Sequence, residues 1–461
     1  MYDLAIIGGG PAGYAAAIRA AQLGGNVALV EESKLGGTCL HWGCIPTKAL
    51  IRSAHLYAEI LGASEHGIRA AAPELDWTAV QARKDKVVTN QHKGLDLLVK
   101  SWGVTTVPGR GRVFSAGAIE VTSPTGVQVI EAHHILLATG SEPIQLPGLI
   151  FNGDSIISSD DALHLKALPK SLIVVGGGVI GCEMACLFAQ FGVDVTIVEL
   201  MPTILPMVDT EIVAILSRSL RKLKIKVLTG VKFESGRTAE GRFAGTLSDG
   251  REVTADKCLV VVGRRARLSG NGIPELGLCP NGKTIAVNDL CETSLAGVYA
   301  AGDATGKWML AHSGYRMGEV AASNALGHHE SLEGVTIPNG IFTTPEIGTV
   351  GLGEEEARKK YGEIIVGRYP YRPLGRAQAG GNLEGMFKIV ADAKSRTVVG
   401  AHIIGESATE LVHEGALAVS AGLKIDAVAE MVHSHPTLSE GFGEAAAASI
   451  GRSIHSPGGK K

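Results

Sequence analysis

The chain has almost no charge imbalance to offer a polyanion. Its 43 Lys and Arg against 46 Asp and Glu leave a formal net charge of -3, so there is no basic field for nucleic acid or anionic lipid. A long apolar run is missing too. The most lipid-like stretch, Leu172 to Leu200, is broken by Gly176-Gly177-Gly178 and contains Glu183 and Asp194; a strand, turn, helix and strand are expected there rather than a membrane span. The opening Met1-Tyr2-Asp3-Leu4-Ala5-Ile6-Ile7 has neither a basic n-region nor a cleavage site, and a cytoplasmic protein is expected. Cysteine is few and odd in number, seven in all, which argues against a disulfide framework and for thiol chemistry or plain burial. Proline stands at only 18 of 461 residues. The remaining candidates for a partner are a small molecule or another protein, in a chain long enough for about three domains.

Glycine is the excess: 61 residues, about twice the usual share, with neither collagen's period nor a linker's low complexity. An internal repeat accounts for part of it. Ile6-Ile7-Gly8-Gly9-Gly10-Pro11-Ala12-Gly13 parallels Val174-Val175-Gly176-Gly177-Gly178-Val179-Ile180-Gly181, and Ala21 to Glu31 matches Ala189 to Glu199 at six of eleven positions. Each copy reads as an apolar strand, a G-x-G-x-x-G turn, a small-residue helix, a second strand and a closing glutamate. Gly8 and Gly176 allow the tight turn, Gly10 and Gly178 admit a pyrophosphate, and Gly13 and Gly181 let helix and strand pack closely. The phosphates then sit on a helix N-terminus. Glu31 and Glu199 are placed to accept hydrogen bonds from ribose hydroxyls. A carboxylate at 199, with no Lys or Arg until Arg218, repels a 2′-phosphate, so the second site is expected to take NAD rather than NADP.

Between the two copies lies Gly36-Gly37-Thr38-Cys39-Leu40-His41-Trp42-Gly43-Cys44-Ile45-Pro46-Thr47-Lys48. By spacing alone this C-x4-C pair is two buried thiols, half a zinc site or a redox disulfide. Zinc ligands are usually closer together and no second Cys/His pair lies nearby, so no metal site is expected. A disulfide here, at a helix start, is readily reduced, and the helix N-terminus favours a Cys44 thiolate.

GGTCLHWGCIPTKAL, the two fingerprints and the late His433-Ser434-His435-Pro436-Thr437-Leu438-Ser439-Glu440 together resemble the dihydrolipoamide dehydrogenases of the pyridine nucleotide-disulfide oxidoreductase family, over essentially the whole chain. The resemblance implies an NAD-dependent enzyme that oxidises protein-bound dihydrolipoamide through a Cys39–Cys44 disulfide and FAD. Cys39 resembles the interchange thiol and Cys44 the charge-transfer thiol. Lys48 resembles the lysine beside flavin N5, with Glu183 as its partner; a cation there suits accumulating negative charge. Gly37 and Thr38 fall at the flavin, Thr139-Gly140 match the ATG turn, and Asp303 matches the carboxylate that binds the ribityl chain. Met309, Leu310, Ala311 and His312 open a helix toward the flavin's N1/O2 edge. Gly111 on the FAD side, and Val231 and Gly263 on the NAD side, follow from weaker local matches. His435 resembles the catalytic base and Glu440 the carboxylate that orients it, with His433 as a rival. In the family the base comes from the second subunit, so a homodimer is implied, served by a lipoyl domain of a 2-oxoacid dehydrogenase or glycine cleavage complex.

The expected fold is α/β, with two Rossmann-like FAD/NAD-binding domains plus a C-terminal α/β dimerisation domain. The divisions fall at 1–147 (FAD), 148–266 (NAD), 267–335 (a central domain completing the FAD site) and 336–461 (interface). Gly385 to Val390 and Thr397 to Ile404 read as paired strands, Ser407 to Gly422 as a helix, and Ser456 to Lys461 as a disordered tail. Cys182, Cys186, Cys258, Cys279 and Cys291 read as buried and inert. His41-Trp42 departs from the family, where many members have Asn and a variable residue. Alternatives to the leading function are another FAD-dependent disulfide reductase of this fold and a non-catalytic flavoprotein with a binding role. Glutathione-type reductases would want basic residues where Glu199-Leu200-Met201 stands, and mercuric reductase a C-terminal cysteine pair, yet no cysteine follows Cys291.

Overall fold

Apolar strands that alternate with alanine-rich helices can bury both faces of a parallel sheet, and the chain does this twice. The computed structural model describes residues 1–69, 71–239 and 241–457; of the tail expected at Ser456 to Lys461, residues 458–461 lie outside them. The chain divides into two units, each of two segments: Met1–Leu168 with Leu259–Glu333, and Pro169–Cys258 with everything from Gly334 onward.

The first segment runs β1 (Tyr2–Ile7), α1 (Pro11–Gln22), β2 (Val27–Glu31), α2 (Gly37–Trp42), α3 (Cys44–Leu61), α4 (Trp77–Ser101), β3 (Thr105–Pro108), β4 (Arg110–Ser115), β5 (Ala118–Ser123), β6 (Gly126–Leu137) and β7 (Ser141–Pro143). The sheet order is β3-β2-β1-β6-β5-β4. β1 is parallel to β2 and to β6, so the nucleotide turn leaves the middle of the sheet, where ligand crevices form in open α/β folds. Leu4, Ala5 and Ile6 are wholly buried there.

The chain then enters the second unit and repeats the plan: β8 (Ser171–Val175), α5 (Val179–Gln190), β9 (Asp194–Val198), α6 (Thr210–Lys222) and β10 (Lys226–Leu228). Strands β8, β9 and β10 are parallel neighbours. The lipid-like stretch thus folds as strand, turn, helix and strand, and among the described residues no helix is long and apolar enough to cross a membrane. An antiparallel meander of Phe233–Ala239, Arg242–Leu247 and Glu252–Ala255 follows.

From Leu259 the chain returns to the first unit. There β11 (Arg264–Ala266) pairs with β7, β12 (Val298–Ala300) adds a parallel strand beside β6, and α7 (Ala311–Ala325) packs on α1. That helix contact is close because Gly318 of α7 lies against the backbone of Ala12, where an added Cβ would come 2.2 Å from the Ala12 carbonyl oxygen.

The last segment gives the second unit β13 (Asn339–Ile341), β14 (Glu346–Gly351), α8 (Glu354–Tyr361), β15 (Ile364–Pro370), β16 (Met386–Asp392), β17 (Val398–Gly405), α9 (Ala408–Ser420) and α10 (Glu440–Ser449). Its sheet is antiparallel, in the order β13-β14-β17-β16-β15. The paired strands expected near 385–404 are β16 and β17, and the expected helix is α9. Tyr369, Tyr371, Phe387, Ile403 and Phe442 fill the core between this sheet and its helices.

Candidate active site

In both nucleotide turns the last fingerprint glycine is required sterically. A Cβ on Gly13 would lie 1.8 Å from the Gly8 carbonyl oxygen, and one on Gly181 would lie 1.9 Å from that of Gly176. Gly8 and Gly176 close the turns at φ of +104° and +110°. Gly10 and Gly178 cap α1 and α5, and a Cβ on Gly178 would meet nothing within 4 Å. That is an open cradle at a helix start, where first-turn N–H groups have no intrahelical acceptor; it fits a pyrophosphate.

The closing acids have a second duty that the spacing does not disclose. Glu31 accepts the N–H of Gly9 at 2.7 Å with one oxygen and that of Ser33 at 2.8 Å with the other. Glu199 does the same with Gly177 at 2.5 Å and Met201 at 2.6 Å. Each carboxylate therefore ties the middle of its turn to the end of the second strand. Burial raises the Glu31 carboxyl above the ordinary range despite these two donors and nearby Arg267. A carboxylate has about four acceptor positions, so two remain for ribose hydroxyls.

Cys39 and Cys44 are joined by a disulfide, with Cα atoms 4.7 Å apart. Cys39 lies in the short α2 and Cys44 is the first residue of the 18-residue α3. The zinc and buried-thiol readings of this pair are thereby excluded, and among the described residues no three His, Cys, Asp or Glu side chains converge as a metal site. Gly37 and Thr38 begin α2, beside the first turn: Gly36 N–H donates to the Gly9 carbonyl. Lys48 sits in the second turn of α3. His41, in α2, is buried against α4, its Nε2 2.8 Å from the Leu35 carbonyl and its ring edge-on to His92 at 5.2 Å. Burial, only partly offset by the Leu35 carbonyl, pushes the His41 ring below the ordinary histidine value.

The remaining flavin-side candidates lie in the same unit. Thr139 follows β6 with its hydroxyl buried and unpaired, an orphan that suits a bound cofactor. Gly140 takes φ of +71° with open space where a Cβ would be. Gly111 is in β4, where a Cβ would press on Ile7 and Val30. Asp303 lies in the one-turn helix after β12 and accepts the Ser141 hydroxyl at 2.5 Å. Met309 is exposed and precedes α7, Leu310 caps that helix, and Ala311 and His312 open it. Arg264 was not among the expected residues. Its guanidinium donates to the Ser141 hydroxyl at 2.8 Å and carbonyl at 2.9 Å, and reaches Thr38 at 3.5 Å. It links the cysteine helix to the Asp303 carboxylate, and the only sequence hint is its place next to Gly263.

In the second unit Glu183 is buried in α5 and accepts the Phe342 N–H at 2.9 Å. Val231 is buried, its N–H bonded to the Glu199 carbonyl. Gly263, back in the first unit, takes φ of +121°. His435 Nδ1 is 2.8 Å from Glu440 Oε1, while Glu440 Oε2 accepts the Thr437 N–H at 2.8 Å. The His435 side chain is 73% exposed, leaving Nε2 free to meet an external group, and that of Glu440 is 18% exposed. Burial works to raise the Glu440 carboxyl, but the Thr437 N–H and the His435 ring outweigh it and hold it below the ordinary range. A histidine oriented by an ionised carboxylate, with its far nitrogen exposed, is built to take a proton.

Protein-family models match the chain as pyridine nucleotide-disulphide oxidoreductase over residues 2–318 and as the dimerisation domain of the same family over residues 337–446. The chain belongs to this family. Among family members, a dihydrolipoyl dehydrogenase of Bacillus subtilis is 39% identical, with 98% of this chain and 99% of that protein covered. A dihydrolipoyl dehydrogenase of Pseudomonas aeruginosa is 38% identical, with 98% of each covered. The crystal structure of LpdA from Mycobacterium tuberculosis is similar with a TM-score of 0.91 at 29% identity, covering 96% of this chain and 98% of that one. The family's FAD and NAD match the two cradles. The five other cysteines fit no redox role. Burial raises the thiols of Cys182, Cys258 and Cys279, and takes those of Cys186 and Cys291 up to about 12.

Proposed function

We propose that this protein is a dihydrolipoyl dehydrogenase, oxidising a protein-bound dihydrolipoamide to lipoamide and reducing NAD. The observation that carries the reading is the Cys39–Cys44 disulfide placed at the start of α3, in the same unit as a complete nucleotide turn. FAD, when bound, supplies the two-electron relay between dithiol and NAD.

His435 Nε2 takes the proton of one substrate thiol, while Glu440 holds Nδ1–H and stabilises the imidazolium. The substrate thiolate attacks Cys39 Sγ, a mixed disulfide forms, and Cys44 leaves as a thiolate favoured by the N-terminus of α3. The second substrate thiol, once deprotonated, attacks its partner sulfur in the mixed disulfide and releases Cys39. One disulfide has formed in the substrate and one has been reduced in the enzyme. Gly8, Gly10, Gly13, Gly37, Thr38, Gly111, Thr139, Gly140, Asp303 and residues 309–312 bind FAD in this reading. Gly176, Gly178, Gly181, Glu199, Val231 and Gly263 bind NAD, and Lys48 with Glu183 supports the flavin's charge. The domain plan is FAD-binding (1–147), NAD-binding (148–266), central (267–335) and interface (336–461). A homodimer follows from the dimerisation domain, with the base supplied across the interface and a lipoyl-bearing protein as partner.

The test is to mix the purified flavoprotein with dihydrolipoamide and NAD, then with NADP, oxidised glutathione and mercuric ion, following nicotinamide absorbance. Rapid NAD reduction by dihydrolipoamide, weak use of NADP and inertness to the other two are expected. Failure to reduce NAD, or faster turnover of glutathione or mercuric ion, overturns the reading.

A further inference from the structure

His433 stands two residues from the base in a setting quite unlike it. Its side chain is 8% exposed, against 73% for His435 two residues on. Its Nε2 lies 2.9 Å from Oε1 of Glu414, on α9. On its other side the ring is packed against α10, where a Cβ on Gly443 would stand 2.7 Å from Cε1 and 2.8 Å from Nδ1. A nitrogen already engaged and a ring enclosed on both sides make a poor acceptor for a substrate proton.

We propose that His433 and Glu414 form a buried latch that positions His435. This rests on His435 being the base. The loop from Met431 to Ser439 is held at one end by Thr437, whose N–H bonds to Glu440 and whose hydroxyl donates to the Ser434 carbonyl at 2.7 Å. The His433–Glu414 pair holds the other end, and Ser434 alone separates the latch from the base. A rigid support of this kind matters because a displacement of about 1 Å in a catalytic group costs on the order of a hundredfold. The titratable groups facing the ring are Glu414 from α9 and Glu440 from α10. The Glu414 hydrogen bond raises the His433 value above the ordinary one, outweighing burial. The charged form of the latch therefore persists to higher pH than an isolated histidine allows, and a charge-assisted bond is roughly twice as strong as a neutral one. As pH rises through the raised value, the latch weakens.

The experiment compares wild type, Glu414→Gln, Gly443→Ala, His433→Gln and His435→Gln. Dihydrolipoamide oxidation is measured across pH, alongside electron flow from NADH to ferricyanide, which needs no thiol base. Thermal unfolding reports whether each variant is folded. Glu414→Gln and Gly443→Ala are expected to lower kcat for the dithiol reaction on the order of 10- to 100-fold, with the ferricyanide rate held within about twofold. Glu414→Gln should also move the high-pH limb of the profile to lower pH. A merely structural contact would scale the profile without moving it, and that result overturns the proposal. Collapse of the dithiol reaction in His433→Gln with its survival in His435→Gln would overturn the assignment of the base. Collapse in His435→Gln with unchanged profiles in the latch variants would overturn the latch alone.

Discussion

Glu440 divides its two oxygens between a backbone amide and a ring nitrogen, so replacing it separates loop geometry from basicity. Glu440→Gln keeps one oxygen for the Thr437 N–H but removes the negative charge behind His435. The expected outcome is a loss of about 10- to 100-fold in dihydrolipoamide-driven NAD reduction, with electron flow from NADH to ferricyanide unchanged. An unchanged dihydrolipoamide rate would show that Glu440 only shapes the loop. Cysteine reactivity follows the same residue-level logic. After mild reduction, iodoacetamide followed by mass spectrometry should label Cys39 and Cys44, while Cys182, Cys186, Cys258 and Cys291 stay unlabelled in the folded protein, since burial raises all four and only the thiolate reacts. Labelling at Cys182 under native conditions would contradict this.

At the scale of elements the two nucleotide turns are the same device built twice, and each fails at one atom. Gly13→Ala and Gly181→Ala each drive a Cβ into the carbonyl oxygen that opens the turn, so strand and helix must part. Gly13→Ala should purify without the flavin's yellow colour. Gly181→Ala should stay yellow while its KM for NAD rises at least tenfold; equal flavin content and unchanged KM would refute the turn geometry. These elements are legible in sequence because strand, turn, helix and acid all fall within about 30 residues and announce their own period. The Cys39–Cys44 pair is legible for the same reason. What escapes is long-range. Arg264 meets Ser141 across 123 residues, and Ser141 meets Asp303 across 162, distances at which no local pattern operates. The back-bonds from Glu31 and Glu199 to Gly9 and Gly177 escape differently, since an acid at a strand end advertises a ribose and conceals its hold on its own turn. The alternating segments of the two units also leave no trace in composition, because each crossing is an ordinary loop.

At the scale of a whole folded unit, stability should depend on acid through one buried ionic cluster. Lys388, on the interior strand β16 and only 1% exposed, bonds to Asp209 at 2.8 Å, Glu211 at 2.5 Å and Glu354 at 2.8 Å. Asp209 and Glu211 belong to the segment ending at Cys258, and Lys388 and Glu354 to the segment after Gly334, so the cluster joins the two segments of the second unit. Burial raises the Glu354 carboxyl, but Lys388 and Arg358 overcome it and bring it down to about 2 from an ordinary 4.5. Lys388 likewise holds Asp209 below its ordinary value against burial. A folded value lower than the unfolded one means that the stabilisation is fully present above pH 4.5 and drains as pH falls toward 2. The thermal midpoint of the wild type is therefore expected to fall steeply through that window. Lys388→Met removes the shared cation and leaves Asp209, 4% exposed, without its ion pair, whereas Glu211 keeps Arg368 and Glu354 keeps Arg358 and Arg368; breaking such a buried pair costs about 3–5 kcal/mol at neutral pH. It should also weaken the acid dependence, because Asp209 is no longer held down and Glu354 loses one of its cations. Circular dichroism melts of both proteins from neutral pH to pH 2 decide the matter: if the wild type and Lys388→Met lose stability in parallel on acidification, the cluster is not what the acid breaks.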